Sequence, residues 1–262
     1  MKNLYFLCSN SDICASNNKR QAVMNRFLIL TAAAAVMAGC SFPVKMLSGV
    51  EVTETYVIDT DFRTISASGA VSIIYSEDSD VMTVTADSVV MADFDYSLSD
   101  KVLSLGRKQN VVSAYNGDPF IRVTLPTSDS LSEVSLSGAS SFTSETVLEV
   151  PDFSISLSGA SDFKGDVAVS NLDVKASGAS DVDLTGYASS ASYDISGASH
   201  VASADRFVKS GSVSLSVSGA SSLHAGASVN VSGSVSGASS ATCYGSPETS
   251  VGTSGASSFH VK

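Results

Sequence analysis

The 262-residue chain has no Trp, five Pro, three His, four Cys and only 15 Lys and Arg. Each shortage excludes something. With so few cations, and none gathered into a patch between aromatics, the chain has no footprint for nucleic acid. The acidic excess points the same way: 26 Asp and Glu give a formal net charge of −11, which repels phosphate backbones and anionic lipid headgroups. Polysaccharide cleavage wants carboxylates clustered with a basic partner, commonly beside aromatic platforms for the sugar. Those materials are scarce here. No Ser-His-Asp constellation or phosphate-binding Gly loop is legible, so no catalytic residues and no cofactor are assigned, and the chain is read as a non-enzyme. The apolar run Phe27–Val36 falls short of the roughly 20 residues that cross a bilayer as a helix.

That run follows Arg20 and Arg26 and leads into Val36-Met37-Ala38-Gly39-Cys40. The pattern resembles a bacterial lipoprotein signal, in which the Cys after small residues is acylated and becomes the new N-terminus. Met37 stands where Leu is more usual. Residues 1–39 are read as the signal segment, Cys40 as the lipidation site and residues 40–52 as a lipid-anchored tether. Met24 gives a more ordinary signal length, which would make residues 1–23 an artefact of the start-site assignment. Beyond residue 39 the chain carries 11 basic and 25 acidic residues, a net charge of −14. Cys8 and Cys14 lie upstream of the cut, which leaves Cys243 without an intramolecular disulfide partner. A buried, inert thiol is expected there.

What the chain has in plenty is Ser and Gly, arranged periodically. Ser-Gly-Ala-Ser recurs with its glycine at Gly138, Gly159, Gly178, Gly197, Gly219, Gly237 and Gly255, at spacings of 21, 19, 19, 22, 18 and 18. Ser68-Gly69-Ala70-Val71 is a degenerate eighth copy. A period near twenty is the mark of a solenoid. On both flanks apolar residues alternate with polar ones: Val134 and Leu136 before the first motif, Phe142 after it, and Ile155, Leu157 and Phe163 around the next. Strict alternation means strands with one buried face. Stacked rungs about 4.8 Å apart would bury that face. The tetrapeptide is then a bend repeated directly over itself, where Gly supplies dihedrals that cost other residues about 1–2 kcal/mol. Alternation runs through the motif without a change of phase, which would point Gly and the second Ser inward, and leaves open whether the motif is a sharp corner or a gently bent strand. The expectation is an all-β solenoid of about seven to eight rungs over residues 53–262. Residues 131–262 form its SGAS rungs and 53–130 an irregular, capping part.

Longer landmarks accompany the repeat: "FRTISASGAVSIIYSEDSDVMTVTAD" at 62–87, "YSLSDKVLSLGRK", "IRVTLPTSDSLSEVSLSGASSF" and serial "SGAS-D-V-D-L"-like rungs, best preserved at Ser177–Leu184. Together, over about residues 57–262, they resemble the head GIN domain family of auto-transporter adhesins. The resemblance implies a right-handed parallel β-helix-like fold, exported and often lipid-anchored, with a name that suggests adhesion and no accepted active-site motif. The first copy reads Gly69-Ala70-Val71 in place of the eponymous Gly-Ile-Asn.

Stacking also predicts neighbours. Asp162, Asp181 and His200 should form an exposed ladder, with Lys164, Asp183 and Ala202 two residues on. Like charges so placed repel unless Lys164, protonated His200 or a cation intervenes. Rung lengths differ on the far side of each turn, where the largest insertion, Ala204–Lys209, carries Arg206 and Phe207. Asp162, Asp181, Asp183, His200, Arg206 and Phe207 are therefore the candidate binding residues. His224 and His260 share a column, but Thr242 separates them by two rungs, about 9.6 Å, too far for one metal. No metal site is assigned. The reading is a non-catalytic envelope lipoprotein whose rigid solenoid presents a surface to an unidentified protein or glycan. It would sit at the outer membrane in preference to the inner, on the periplasmic side or the cell surface. Alternatives are a polysaccharide-acting β-helix enzyme or a self-assembling structural protein, whose last rung "SSFHVK" would pair end to end in a homo-oligomer.

Overall fold

The computed structural model describes residues 44–108, 114–116 and 120–262. The signal segment and Cys40 lie outside the described residues. The chain divides into a small unit, residues 1–44 and 112–114, of which only Val44 and Ala114 are described, and a large one, residues 45–111 and 115–262. Everything below concerns the large unit.

Among its described residues seventeen strands form one continuous sheet coiled into a β-solenoid of about seven turns. In chain order they are β1 (Glu51–Tyr56), β2 (Thr64–Ala67), β3 (Val71–Ser76) and β4 (Met82–Asp87), then a one-turn helix α1 (Ser88–Met91) capped by the Asp87 carboxylate. Next come β5 (Phe94–Ser99), β6 (Val102–Arg107), β7 (Ile121–Pro126) and β8 (Glu133–Leu136). The repeats supply β9 (Ser141–Leu157), β10 (Asp162–Ala176), β11 (Asp181–Ile195), β12 (His200–Val201), β13 (Val208–Val217), β14 (Ser222–Val235), β15 (Ser240–Tyr244), β16 (Glu248–Thr253) and β17 (Ser258–Val261).

From β8 onward every pairing between rungs is parallel, and the register is the repeat itself. Val134, Ile155, Val174, Tyr193 and Leu215 stand over one another, as do Phe142, Phe163, Val182 and Val201. Both files are buried. Each such side chain contributes about 1.5–3 kcal/mol on leaving water, but only because the next rung covers it. Phe142 and Phe163 stack with centroids 5.1 Å apart and planes at 14°. Between the apolar positions Asp162, Lys164 and Asp166 of β10 are exposed, and after a change of phase at residues 168–171 so are Asn171 and Lys175, a period of two on each side.

The N-terminal part extends this stack out of chain order. β2 pairs in parallel with β8 on one side and β6 on the other, and β3 with β9 and β7. The rung the chain makes first is thus sandwiched between its second and third. β4 then pairs antiparallel with β7 and β1, and β5 with β6, so antiparallel strands cover this end of the core. Asp100 and Lys101 turn β5 into β6 with φ of +52° and +64°, the double left-handed turn that matches hairpin twist. Residues that the sequence assigns to the tether join this cap. The Asp87 carboxylate accepts from Ser48 and Gly49 backbone N–H groups, and β1 runs along β4.

Candidate contact surface

The tetrapeptide turns form one file. Each motif Ala donates its N–H to the carbonyl of the glycine one rung before, from Ala139 on Gly69 (2.6 Å) to Ala256 on Gly237 (2.8 Å). The degenerate copy at Gly69 is the first member. The second Ser is buried in every full motif but the last, and in Ser161 and Ser180, for example, its hydroxyl donates to the carbonyl three residues earlier, Ser158 (2.8 Å) and Ser177 (2.9 Å). The glycines are exposed. The expectation of unbroken alternation holds for the second Ser, which points in, and is corrected for Gly, which the turn takes outward. The cause is the left-handed backbone, φ +77° to +83° in the seven full motifs, which swings Gly out while Leu136, Ser140 and Phe142 keep the alternation's phase.

Outside this framework, Asp162, Asp181 and His200 stand in register and exposed. Partial burial, and then the charge of Asp181, hold the Asp162 carboxyl above its usual range. His200 Nδ1 lies 2.6 Å from the Ser222 hydroxyl on the following rung. Lys164 and Asp183 are paired in register as well, but the cation that reaches Asp183 is Arg206. Its Nε donates at 2.6 Å to Asp183, and its terminal nitrogen lies 3.6 Å from Asp166. The insertion therefore folds back over the acidic face of two earlier rungs. The same loop lays Phe207 on the ring of Tyr244, centroids 4.4 Å apart at 9°. Tyr244 also meets His224, whose Nδ1 is 3.1 Å from its hydroxyl. Burial, and the Lys262 charge, lower the His224 pKa. Thr242 lies in register between His224 and His260. Cys243 is buried, and burial raises its thiol pKa.

Two depressions were not foreseen from the sequence. A trough of about 900 Å³ crosses the rungs on another face, between the file Asp152, Asn171, Ser190, Ser212, Asn230 and the file Ser154, Asp173, Ser192, Ser214, Ser232. Beside it a hollow of about 480 Å³ is walled by Tyr187, Glu149 and Ala168. Periodicity marks these positions as outward, but no sequence pattern says that the sheet is concave there. An outward Tyr187 between Ala168 and Lys209 in its column was the available signal.

The family described as "Putative auto-transporter adhesin, head GIN domain" matches residues 61–247. The chain belongs to that family. Solved structures share the fold at low identity. A protein described as a putative adhesin from Bacteroides fragilis superposes with a TM-score of 0.73 at 20% identity, over 83% of this chain and 100% of its own. One described as a putative lipid binding protein from Parabacteroides distasonis gives 0.66 at 16%, over 84% and 99%. A putative adhesin from Parabacteroides merdae gives 0.58 at 18%, over 84% and 99%. No curated protein is significantly similar in sequence. Among the described residues no helix is long and apolar enough to cross a membrane.

Proposed function

We propose that this head GIN domain protein is a non-catalytic, lipid-anchored element of the bacterial envelope that holds a rigid surface out for adhesive contact. The observation that carries the reading is the single file of turns from Gly69 to Gly255. A ladder bonded at every rung fixes each outward column relative to the next, which is what a contact surface needs and what a gating or closing enzyme does not. Family membership supports adhesion in particular. The Met37-Ala38-Gly39-Cys40 pattern supports anchoring through acylated Cys40, at the outer membrane; several acyl chains hold where one is marginal.

Two measurements test it. Cys40→Ala should move the protein from the membrane to the soluble fraction, and unchanged fractionation would remove the anchor from the reading. Beads coated with the full chain should bind host-cell or bacterial surfaces above albumin-coated beads. Equal binding by both would remove adhesion.

A further inference from the structure

We infer that the trough and the adjoining hollow form one binding site for a linear, uncharged glycan. This rests on the reading of the solenoid as a contact surface and names the place and the ligand class.

The two depressions meet at Val150 and Pro151. On the hollow's side Tyr187 forms one wall, and the residue is 63% exposed. Its register neighbours explain why. Ala168, one rung before, is too short to cover one face of the ring, while Lys209, one rung after, holds its ammonium over the other, 5.8 Å from the centroid. The face turned towards Ala168 is the one left for the C–H side of a sugar. The ring stands out beside the two files of the trough, which are Ser, Asp and Asn throughout.

On the trough's side the polar groups are already oriented. The Asn171 amide donates to the Asp152 carboxylate at 2.7 Å, and the Ser190 hydroxyl donates to the Asn171 carbonyl oxygen at 2.7 Å. This chain leaves the second amide hydrogen of Asn171 and lone pairs on Asp152 and Ser190 for a ligand. The opposite file offers Asp173 and serines at the same spacing, about 4.8 Å per rung. Sugar rings in an extended chain repeat on a similar scale and present hydroxyls to both sides.

Other ligand classes fit poorly. The residues between the two files, Phe153, Leu172, Ala191 and Val213, point into the core and are at most 3% exposed. The floor is therefore mostly backbone, without the row of exposed apolar side chains along which a lipid chain would lie. That backbone is already bonded on both sides within β9–β14, so an extended peptide cannot add as a strand. Asp129, Glu133, Asp152 and Asp173 outnumber Arg63 and Lys101 along the trough, and Lys101 is engaged by Asp61 at 2.8 Å. An anionic polymer would be repelled.

The test is calorimetric titration of the full chain in detergent with four probes: cellohexaose, chitohexaose, a galacturonate hexamer and an extended neutral decapeptide. One of the two neutral hexasaccharides should bind, and its disaccharide more weakly. Tyr187→Ala and Asn171→Ala, both at exposed positions, should each weaken it about tenfold with an unchanged melting temperature. His260→Ala, in a different column, should not weaken it. Failure of both neutral sugars to bind, binding undiminished in Tyr187→Ala, or preference for the galacturonate or the peptide would each overturn the inference. If coated beads carrying the Tyr187→Ala, Asn171→Ala double variant still adhered as well as wild type, the trough would be wrong and the contact-surface reading would stand.

Discussion

A Cβ placed on Gly159 would stand 2.5 Å from the carbonyl oxygen of Gly138, the same residue one rung before. The left-handed backbone aims that Cβ along the stack, not into the core. Two separate penalties therefore meet at every internal turn. A side chain costs about 1–2 kcal/mol for the left-handed conformation, and crowding against the preceding carbonyl adds roughly 1–3 kcal/mol. Gly69 separates them, because it has the same sign of φ, +93°, and a Cβ added there would meet nothing within 4 Å. Gly69→Ala should lose only the conformational part, and Gly159→Ala clearly more, as read by urea denaturation. Equal losses would mean that the stack relaxes freely and the carbonyl contact has no cost.

This turn shows how far the sequence could be read. Recurrence at 18–22 residues with flanking alternation was enough for the solenoid, its register and the neighbours Asp162, Asp181 and His200, because register in a repeat is simply the repeat. The outward swing of Gly138 was not legible, since alternation is blind to a single left-handed residue. Nor was the threading of β6 and β7 beneath β2 and β3: they carry no SGAS turn, and only their hydrogen-bond partners reveal the order. Arg206 lies 23 residues from Asp183 in an insertion that breaks the period, so no column rule could pair them. Concavity at Asn171 depends on sheet curvature, which outward polarity does not encode.

The second Ser of each motif closes the bend from inside. Ser180 is fully buried and its hydroxyl bonds the Ser177 carbonyl. Ser180→Ala should cost about 1 kcal/mol, the net worth of one such bond. Ser180→Val should cost more, since it also adds volume between Ser161 and Ser199 in a close-packed file. A Val variant as stable as the Ala variant would show that the file has room to spare.

Asp162 makes stability depend on pH in a stated direction. Its carboxyl pKa is raised above the ordinary 3.8, by burial first and the Asp181 charge second. The folded state thus holds this proton more tightly than the unfolded chain does. Stability from this site is present below about pH 3.8, is lost as pH rises through the folded value and stays lost at neutral pH. Asp162→Asn should therefore raise the melting temperature slightly at pH 7 and leave it unchanged near pH 3. A variant that is less stable at pH 7 would mean that the carboxylate makes a favourable contact that outweighs Asp181.

Arg206 tests whether ion pairs or ring stacking hold the inserted loop. Its pairs with Asp183 and Asp166 are solvent-accessible, the side chain being 42% exposed, and pairs of that kind contribute at most about 1 kcal/mol. Arg206→Ala should leave the global melting temperature nearly unchanged, because β13 re-enters the stack at buried Val208 regardless. Locally the effect should be larger. Without the guanidinium, Asp166 and Asp183 face the loop uncompensated, and only the Ser203–Arg206 backbone turn and the Phe207–Tyr244 stack remain to hold it. Subtilisin should then cut between Ser203 and Phe207 faster than in wild type. Wild type in about 1 M salt should move the same way, since screening at about 3 Å weakens the pairs without touching the rings. Cleavage insensitive to both changes would assign the loop's position to Phe207, and Phe207→Ala would then be the variant that opens it.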